Sequence, residues 1–258
     1  MMGFKVMHNN LFIAMMLVYS GLATAEEGSL SMTTGIDYSS GKYGQAEKTN
    51  ITYVPLTAKY EVDRWSFKGT LAWLTIDGPG GVTGDGTVVD NGTDERAIES
   101  GFGDIVASAT YSALQLEQQK FYVDVGAKVK LPTASERKGL GTGKTDYAVS
   151  VDLYKTFDRF TLLGALGYKV FGDPTGVDLN NVWFGTVGGV YKLDQKNSAG
   201  LTVDMREATT ESSTKLLEYT LFYSHKFNDT YKLQTYLSAG DTRSSADFGG
   251  GAMLGISW

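Results

Sequence analysis

The sequence predicts an all-β protein, a transmembrane antiparallel up-and-down β-barrel of about twelve strands, with ten or fourteen as the alternatives. Three observations lead to this prediction. Apolar and polar residues alternate from residue 29 to the end of the chain. The connections between the alternating segments are short and long in turn. The 258 residues include 32 Gly and 15 Tyr but only 4 Pro, a composition that suits curved strands lined by aromatic belts.

The alternation is clearest in residues 121–131, FYVDVGAKVKL, where every odd-numbered residue is apolar and Asp124, Lys128 and Lys130 lie between them. A period of two places successive side chains on opposite faces of a strand. Most of the segments are long enough for a tilted membrane strand, which needs about 9–11 residues. The predicted segments are 29–38, 49–62, 65–76, 101–115, 120–131, 145–157, 159–171, 181–193, 198–207, 214–227, 230–240 and 246–258.

Short and longer connections alternate along the chain. The tight ones are 63–64, 117–119, 158–159, 194–197 and 228–229. The others, mostly longer, are 39–48, 77–100, 132–144, 172–180, 208–213 and 241–245. Outer-membrane barrels show this asymmetry, with short periplasmic turns and longer external loops. A soluble β-sandwich has no reason to sort its connections in this way.

Aromatic residues collect near the segment ends, where they are expected to form the two girdles at the membrane interfaces. These residues are Tyr53, Tyr60, Trp65, Trp73, Tyr111, Tyr122, Tyr147, Tyr168, Trp183, Tyr191, Tyr219, Tyr223, Tyr231 and Trp258.

The first 25 residues predict a secretory signal peptide. Lys5 supplies the positive charge, residues 11–18 form a short apolar run, and Ala23-Thr24-Ala25 gives the cleavage pattern, with the cut after Ala25. Residues 26–258 are then expected to form a single barrel domain. Export without any cysteine, together with the strand pattern, places the protein in the outer membrane of a Gram-negative-type bacterium, in contact with lipid and lipopolysaccharide.

The last segment has an apolar face that ends in an aromatic residue. Leu254, Ile256 and Trp258 lie on this face. The pattern resembles the C-terminal signal by which the barrel-assembly machinery recognises outer-membrane proteins, so this machinery is an expected partner.

The polar face of each strand is expected to line the lumen. The main candidates for the pore lining are Asp104, Asp124, Lys128, Lys130, Asp146, Asp152, Asp204, Arg206 and Glu218, and further charges on this face are Lys59, Glu61, Lys68, Lys169 and Lys232. Both signs are present. The set is therefore compatible with a pore wall and with a mutually neutralising network that closes the lumen. Twelve strands lie between a barrel filled by side chains and a wide channel, so the strand number leaves both open.

Several classes of function are disfavoured. The absence of cysteine excludes disulfides and thiolate sites, and a net charge of −6 argues against a nucleic-acid partner. No cofactor is expected, and neither is a catalytic or metal site. His225, the sole histidine after the signal peptide, is interpreted as an interfacial residue rather than a general base. The acidic loop 77–95 could bind calcium, but its spacing matches no EF-hand, which favours a solvated external loop.

Three motifs in order carry a family resemblance. They are 101–105 (GFGDI), 130–133 (KLPT) and 139–147 (GLGTGKTDY), at the predicted external ends of consecutive segments. The chain resembles the outer-membrane transporter family named for a meta-pathway of phenol degradation, which is loosely related to hydrophobic-substrate importers. The placement of the motifs predicts that Asp104 and Asp146 point inward near Lys130 and hold the long loops by charge-assisted hydrogen bonds.

The resemblance implies a transport role. The expected function is a passive channel or transporter for a small molecule, with an aromatic or hydrophobic solute as one option. The first alternative is a structural or adhesion barrel whose lumen is closed by its own charges. The second is an outer-membrane lipid hydrolase.

Overall fold

A computed structural model describes residues 28–79, 81–82, 88–89, 96–174 and 178–258, together with two short stretches of backbone, 3–5 and 18–20. Within the predicted signal peptide, Gly3–Lys5 pairs with Val18–Ser20, and the remaining residues lie outside the described part of the chain. The signal peptide and its cleavage after Ala25 therefore stay predictions.

Thirteen strands build one antiparallel sheet. They are β1 (Ser29–Gly41), β2 (Thr49–Val62), β3 (Trp65–Gly78), β4 (Ala97–Phe102), β5 (Ile105–Leu116), β6 (Phe121–Leu131), β7 (Asp146–Phe157), β8 (Phe160–Val170), β9 (Val182–Lys192), β10 (Asn197–Arg206), β11 (Leu216–Lys226), β12 (Tyr231–Gly240) and β13 (Phe248–Ser257). Except at β4, each strand pairs with its neighbours in chain order. The last strand, β13, pairs with the first, β1, and this pairing closes the sheet into a barrel. Closure satisfies the backbone groups that an open edge would leave exposed to lipid.

The predicted twelve-stranded barrel is confirmed, with one correction at the fourth position. The predicted segment 101–115 is two strands in the structure. β4 pairs with the external half of β3 and β5 with its periplasmic half, so together they fill one place in the wall. The 101–105 motif therefore interrupts a strand instead of opening one, and its Gly103-Asp104 pair forms the break.

The predicted alternation of connections is also confirmed. Two residues join β2 to β3, and another two join β7 to β8, whereas the loop between β6 and β7 covers residues 132–145. Asp63 and Asp158 open the two tight turns with φ of 51° and 49°. Positive φ suits the hairpin turns whose twist matches that of the strands, and aspartate tolerates this region better than most residues.

The polarity of the barrel is the inverse of that of a soluble protein. Leu221, Leu237 and Val149 each expose more than half of their surface, whereas Thr202 and Gln234 are fully buried. Because the period is two, one face of each strand points outward and the other inward, and the polar residues lie mainly on the inward face. The outer surface is thus an apolar band, as a lipid environment requires.

Aromatic residues border this band at both ends. Trp73 contacts Phe102 and Trp183 contacts Tyr168 near the external end, while Trp65 stacks on Phe67 near the periplasmic end. The interpretation of Tyr53 and Tyr122 as girdle residues was wrong. The register pairs Tyr53 with inward-facing Asp37, and Tyr122 shares the inner face of its strand with Asp124. Alternate residues of a strand face opposite sides, so the odd or even position of a ring, and not its distance from the strand end, decides whether it faces lipid.

Helical structure in the described residues is confined to one 3-10 turn, Glu136–Lys138. None of the described segments forms a helix of the length and apolarity needed to span a membrane.

Candidate functional site: the barrel interior

Four charged side chains meet inside the external end of the barrel, on β6, β7, β8 and the break before β5. Lys130 Nζ lies 3.1 Å from Asp104 Oδ2 and 3.3 Å from Asp146 Oδ2, and Lys169 Nζ lies 3.4 Å from the same Asp146 oxygen. All four side chains are at most 2% exposed. We call Asp104, Lys130, Asp146 and Lys169 the ionic cluster. The predicted convergence of Asp104 and Asp146 on Lys130 is confirmed.

The ionic cluster holds the loop 132–145 inside the barrel mouth. Lys130 donates a hydrogen bond to the Thr142 hydroxyl at 3.1 Å, and Asp104 accepts one from the backbone N–H of Ala134 at 2.8 Å. Gly141 packs against the Asp104 carboxylate so closely that a Cβ would lie 3.0 Å from its oxygen. The loop is therefore fastened at both of its ends by buried carboxylate and ammonium groups.

The tip of this loop covers an apolar area within the lumen. Leu140 is 1% exposed and packs with inward-facing residues of β2 and β3. We call this area the inner apolar patch, and it consists of Ile51, Tyr53, Ala72, Leu74 and Ile76. Val82 joins the same cluster, and its N–H bonds to the Gly139 carbonyl at 2.8 Å. The external mouth thus has an apolar wall, an ionic wall and a loop between them.

On the wall formed by β1 and β11–β13, two interior carboxyl groups line a water-sized cavity of about 20 Å³. Asp37 and Glu218 both line it, and Asp37 accepts a hydrogen bond from the Tyr236 hydroxyl. Glu218 also accepts from the Ala246 N–H at 3.0 Å, which fastens the last external loop. Arg206 is buried and supplies positive charge close to Glu218.

The remaining predicted lining residues are dispersed around the barrel. Asp124 accepts a 2.5 Å hydrogen bond from Ser112, Asp152 a 3.2 Å bond from Ser150 and Asp204 a 2.5 Å bond from Thr186. Lys128 lies on the same inner face of β6 as Asp124 and Lys130. The nine predicted residues thus form separate groups, of which the ionic cluster is the tightest.

Sequence reasoning missed the inner apolar patch and the inserted loop. One signal of the patch was present, because residues 71–76, LAWLTI, are apolar on both faces of β3 and break the alternation. When both faces of a strand are apolar, the pattern indicates that both faces are covered, one by lipid and one by protein in this barrel. The position of Leu140 had no comparable signal, since it depends on a loop bending into the barrel.

The contacts of His225 and of the described part of the acidic loop 77–95 are local. The His225 ring shares a 2.7 Å hydrogen bond with the amide oxygen of Asn197 and meets the edge of Phe227, as part of a hydrogen-bonded turn region. Asp77 forms a bidentate ion pair with Arg96 at 2.7 Å. The other acids of loop 77–95 lie outside the described residues, and the part that is described contains no group of three or more potential metal ligands.

Comparisons with known proteins agree with this architecture. A family model described as "Putative MetA-pathway of phenol degradation" matches residues 45–256. The chain belongs to this family. The match extends from the loop before β2 into β13, so the phenol-degradation family covers nearly the whole barrel. No protein with a curated description matches the sequence significantly.

Two solved barrels show the same fold. The COG4313 outer membrane channel from Pseudomonas putida F1 aligns with a TM-score of 0.68 and 11% identity, over 92% of this chain and 97% of that chain. The translocator domain of the autotransporter NalP from Neisseria meningitidis aligns with a TM-score of 0.51 and 12% identity, over 91% and 89%. With its apolar outer band, this member of the phenol-degradation family has the fold of an outer-membrane β-barrel.

Proposed function

We propose that the protein is a passive outer-membrane channel for a small solute that carries an apolar or aromatic part, and that it catalyses no reaction. The observation that carries this proposal is the inner apolar patch, which lies inside the barrel mouth and is covered by Leu140 of an external loop. A loop can move without breaking the wall, whereas the wall strands cannot separate. An apolar solute group would find in the patch the surface that Leu140 now occupies.

The ionic cluster favours a second candidate, a structural barrel closed by its own charges. Its side chains are almost completely buried, and a buried network with its partners in place resists rearrangement. In this alternative the loop stays fixed and no solute passes.

Entry of solutes into proteoliposomes distinguishes the two candidates. Vesicles that contain the purified barrel are transferred into isosmotic arabinose or into isosmotic stachyose, and swelling is followed by light scattering. A narrow channel admits the pentose and excludes the tetrasaccharide. The absence of swelling in both sugars, with a barrel that runs as folded on an unboiled gel, would favour the structural alternative.

A further inference from the structure

Five lysines share the inner face of the barrel, four of them near the periplasmic ends of their strands and one in the external half of β6. They are Lys59, Lys68, Lys128, Lys226 and Lys232. The parity of each position places it with buried residues of the same strand, for example Lys68 with Ser66 and Thr70. We call these five residues the lysine cluster.

The strand register brings the lysines close to one another. Lys59 lies directly opposite Lys68 on β2 and β3, and Lys226 lies directly opposite Lys232 on β11 and β12. On the neighbouring strands β3, β5 and β6, Lys68, Ser108 and Lys128 lie side by side with Ser108 in the middle. Like charges directly opposite one another destabilise a sheet. The arrangement therefore costs stability, which a solely structural interior would avoid by placing acids between the lysines.

Lys232 is the least compensated member of the cluster. Its Nζ is buried and has no hydrogen-bond partner among the described residues. The charges that act on it most strongly are those of Lys59 and Lys226, both positive. A buried ammonium without a partner is costly, and an anion or ordered water relieves that cost.

Nearby acids neutralise only part of the cluster. Glu61 pairs with Lys59 at 2.7 Å, and the exposed Asp229 pairs with Lys226 at 2.6 Å. Asp152 is the carboxylate whose charge acts on Lys68, and Lys128 and Lys59 repel that lysine. Lys232 thus has no hydrogen-bonded acid among the described residues, and Asp152 is the one acid whose charge acts on Lys68.

A cavity of about 50 Å³ opens beside the cluster at the periplasmic end. Lys226 and Lys232 line it together with Asp229, which pairs with Lys226, and with hydroxyl-bearing residues that include Ser31, Thr33 and Thr230. Ammonium and hydroxyl donors around one space are the groups that bind a carboxylate by charge-assisted hydrogen bonds.

We infer that the lysine cluster is an anion-binding subsite that takes the carboxylate of a small organic acid on its way through the barrel. This inference deepens the channel function proposed above, because the passage of the acid through the barrel rests on that function. The binding of the anion itself depends only on the geometry of the cluster.

Calorimetric titration of the purified barrel with benzoate, at constant ionic strength, tests the inference. The uncharged benzamide is the ligand control. The variant Lys68→Met/Lys232→Met removes the two least compensated charges, and Lys155→Met, a lysine at the same end of the barrel but on the outer-face parity of β7, is the matched control. Lys232→Arg retains the charge and checks that charge is the relevant property.

We expect wild type, Lys155→Met and Lys232→Arg to bind benzoate, and the double variant to bind it at least about tenfold more weakly. Benzamide should bind to none of them. Benzoate binding to the double variant within about twofold of wild type, equal binding of benzamide, or no benzoate binding by wild type would overturn the inference. Sugar-driven swelling measured on the same preparations separates the two proposals. Swelling without benzoate binding rejects the subsite alone, and benzoate binding without swelling rejects the channel alone.

Discussion

At the scale of the residue, Lys130 is the centre of the ionic cluster. It bridges two buried carboxylates, Asp104 and Asp146, and also holds Thr142 of the inserted loop. Replacing it with methionine would leave both carboxylates buried and short of positive charge. Removal of one partner from a buried ion pair costs about 3–5 kcal/mol.

We therefore expect Lys130→Met to lower the free energy of unfolding by about 3–5 kcal/mol, measured by urea denaturation of the barrel in detergent micelles. Lys138→Met is the control, since Lys138 is half exposed and lies 3.8 Å from Glu99, a surface geometry worth at most about 1 kcal/mol. Equal midpoints for the two variants would show that the ionic cluster contributes little to stability.

Aromatic rings inside the barrel lie over glycines of neighbouring strands, and Phe222 over Gly200 is one instance. A Cβ at Gly200 would also lie 2.7 Å from the carbonyl oxygen of Gly189, which is backbone and yields little. Gly200→Ala should accordingly destabilise the barrel by about 1–3 kcal/mol through overpacking. Gly69→Ala, where nothing lies within 4 Å of the added carbon, should leave the urea midpoint unchanged or slightly raised. A loss of stability in both variants alike would contradict the packing argument.

At the scale of the element, the turn between β9 and β10 is organised by one carboxylate. Asp194 accepts hydrogen bonds from the Asn197 side chain and from the backbone N–H groups of Lys196 and Asn197, at 2.7–2.8 Å. These bonds, above all the one from the Asn197 side chain, lower the pKa of Asp194 below its ordinary value of 3.8. The ionised carboxylate therefore stabilises the turn above that value, and the contribution is lost as the pH falls through the lowered pKa.

Carbon-13 NMR of the Asp194 carboxyl group in detergent micelles measures this directly. We expect a titration midpoint below 3.8, and a midpoint that moves upward in Asn197→Ala because the first of these hydrogen bonds is then missing. A midpoint at or above 3.8 in wild type, or one that stays constant in the variant, would contradict the account of the turn.

The elements also show how far sequence reasoning reaches. Alternation located β6 as 120–131, and the structure has Phe121–Leu131, because a period of two is a property of the strand itself. It misplaced Tyr53, since nearness to a strand end does not decide which face a ring occupies. The broken fourth strand was missed because the break at Gly103 and Asp104 depends on Lys130, a residue of another strand. Leu140 was missed for the same kind of reason, because its burial depends on the tertiary path of a loop.

At the scale of the whole molecule, the barrel combines an external mouth that contains loop 132–145 with a group of inner lysines toward its periplasmic end. Loop 132–145 folds into the mouth, where Leu140 packs on the inner apolar patch and Thr142 accepts a hydrogen bond from Lys130 of the ionic cluster. The wall itself is continuous from β1 to β13 and back to β1. As the proposed channel, the barrel is expected to open by movement of this loop, which should control the size and frequency of opening.

Single-channel recording in planar bilayers tests this central claim most directly. Wild type should give small, infrequent conductance steps. Leu140→Ser should give larger or more frequent steps, because it removes the apolar contact that holds the loop, worth about 2–5 kcal/mol for a buried leucine. Lys138→Met, on the exposed part of the same loop, should behave like wild type. The absence of conductance steps from both wild type and Leu140→Ser, in preparations that run as folded barrels on unboiled gels, would contradict the account.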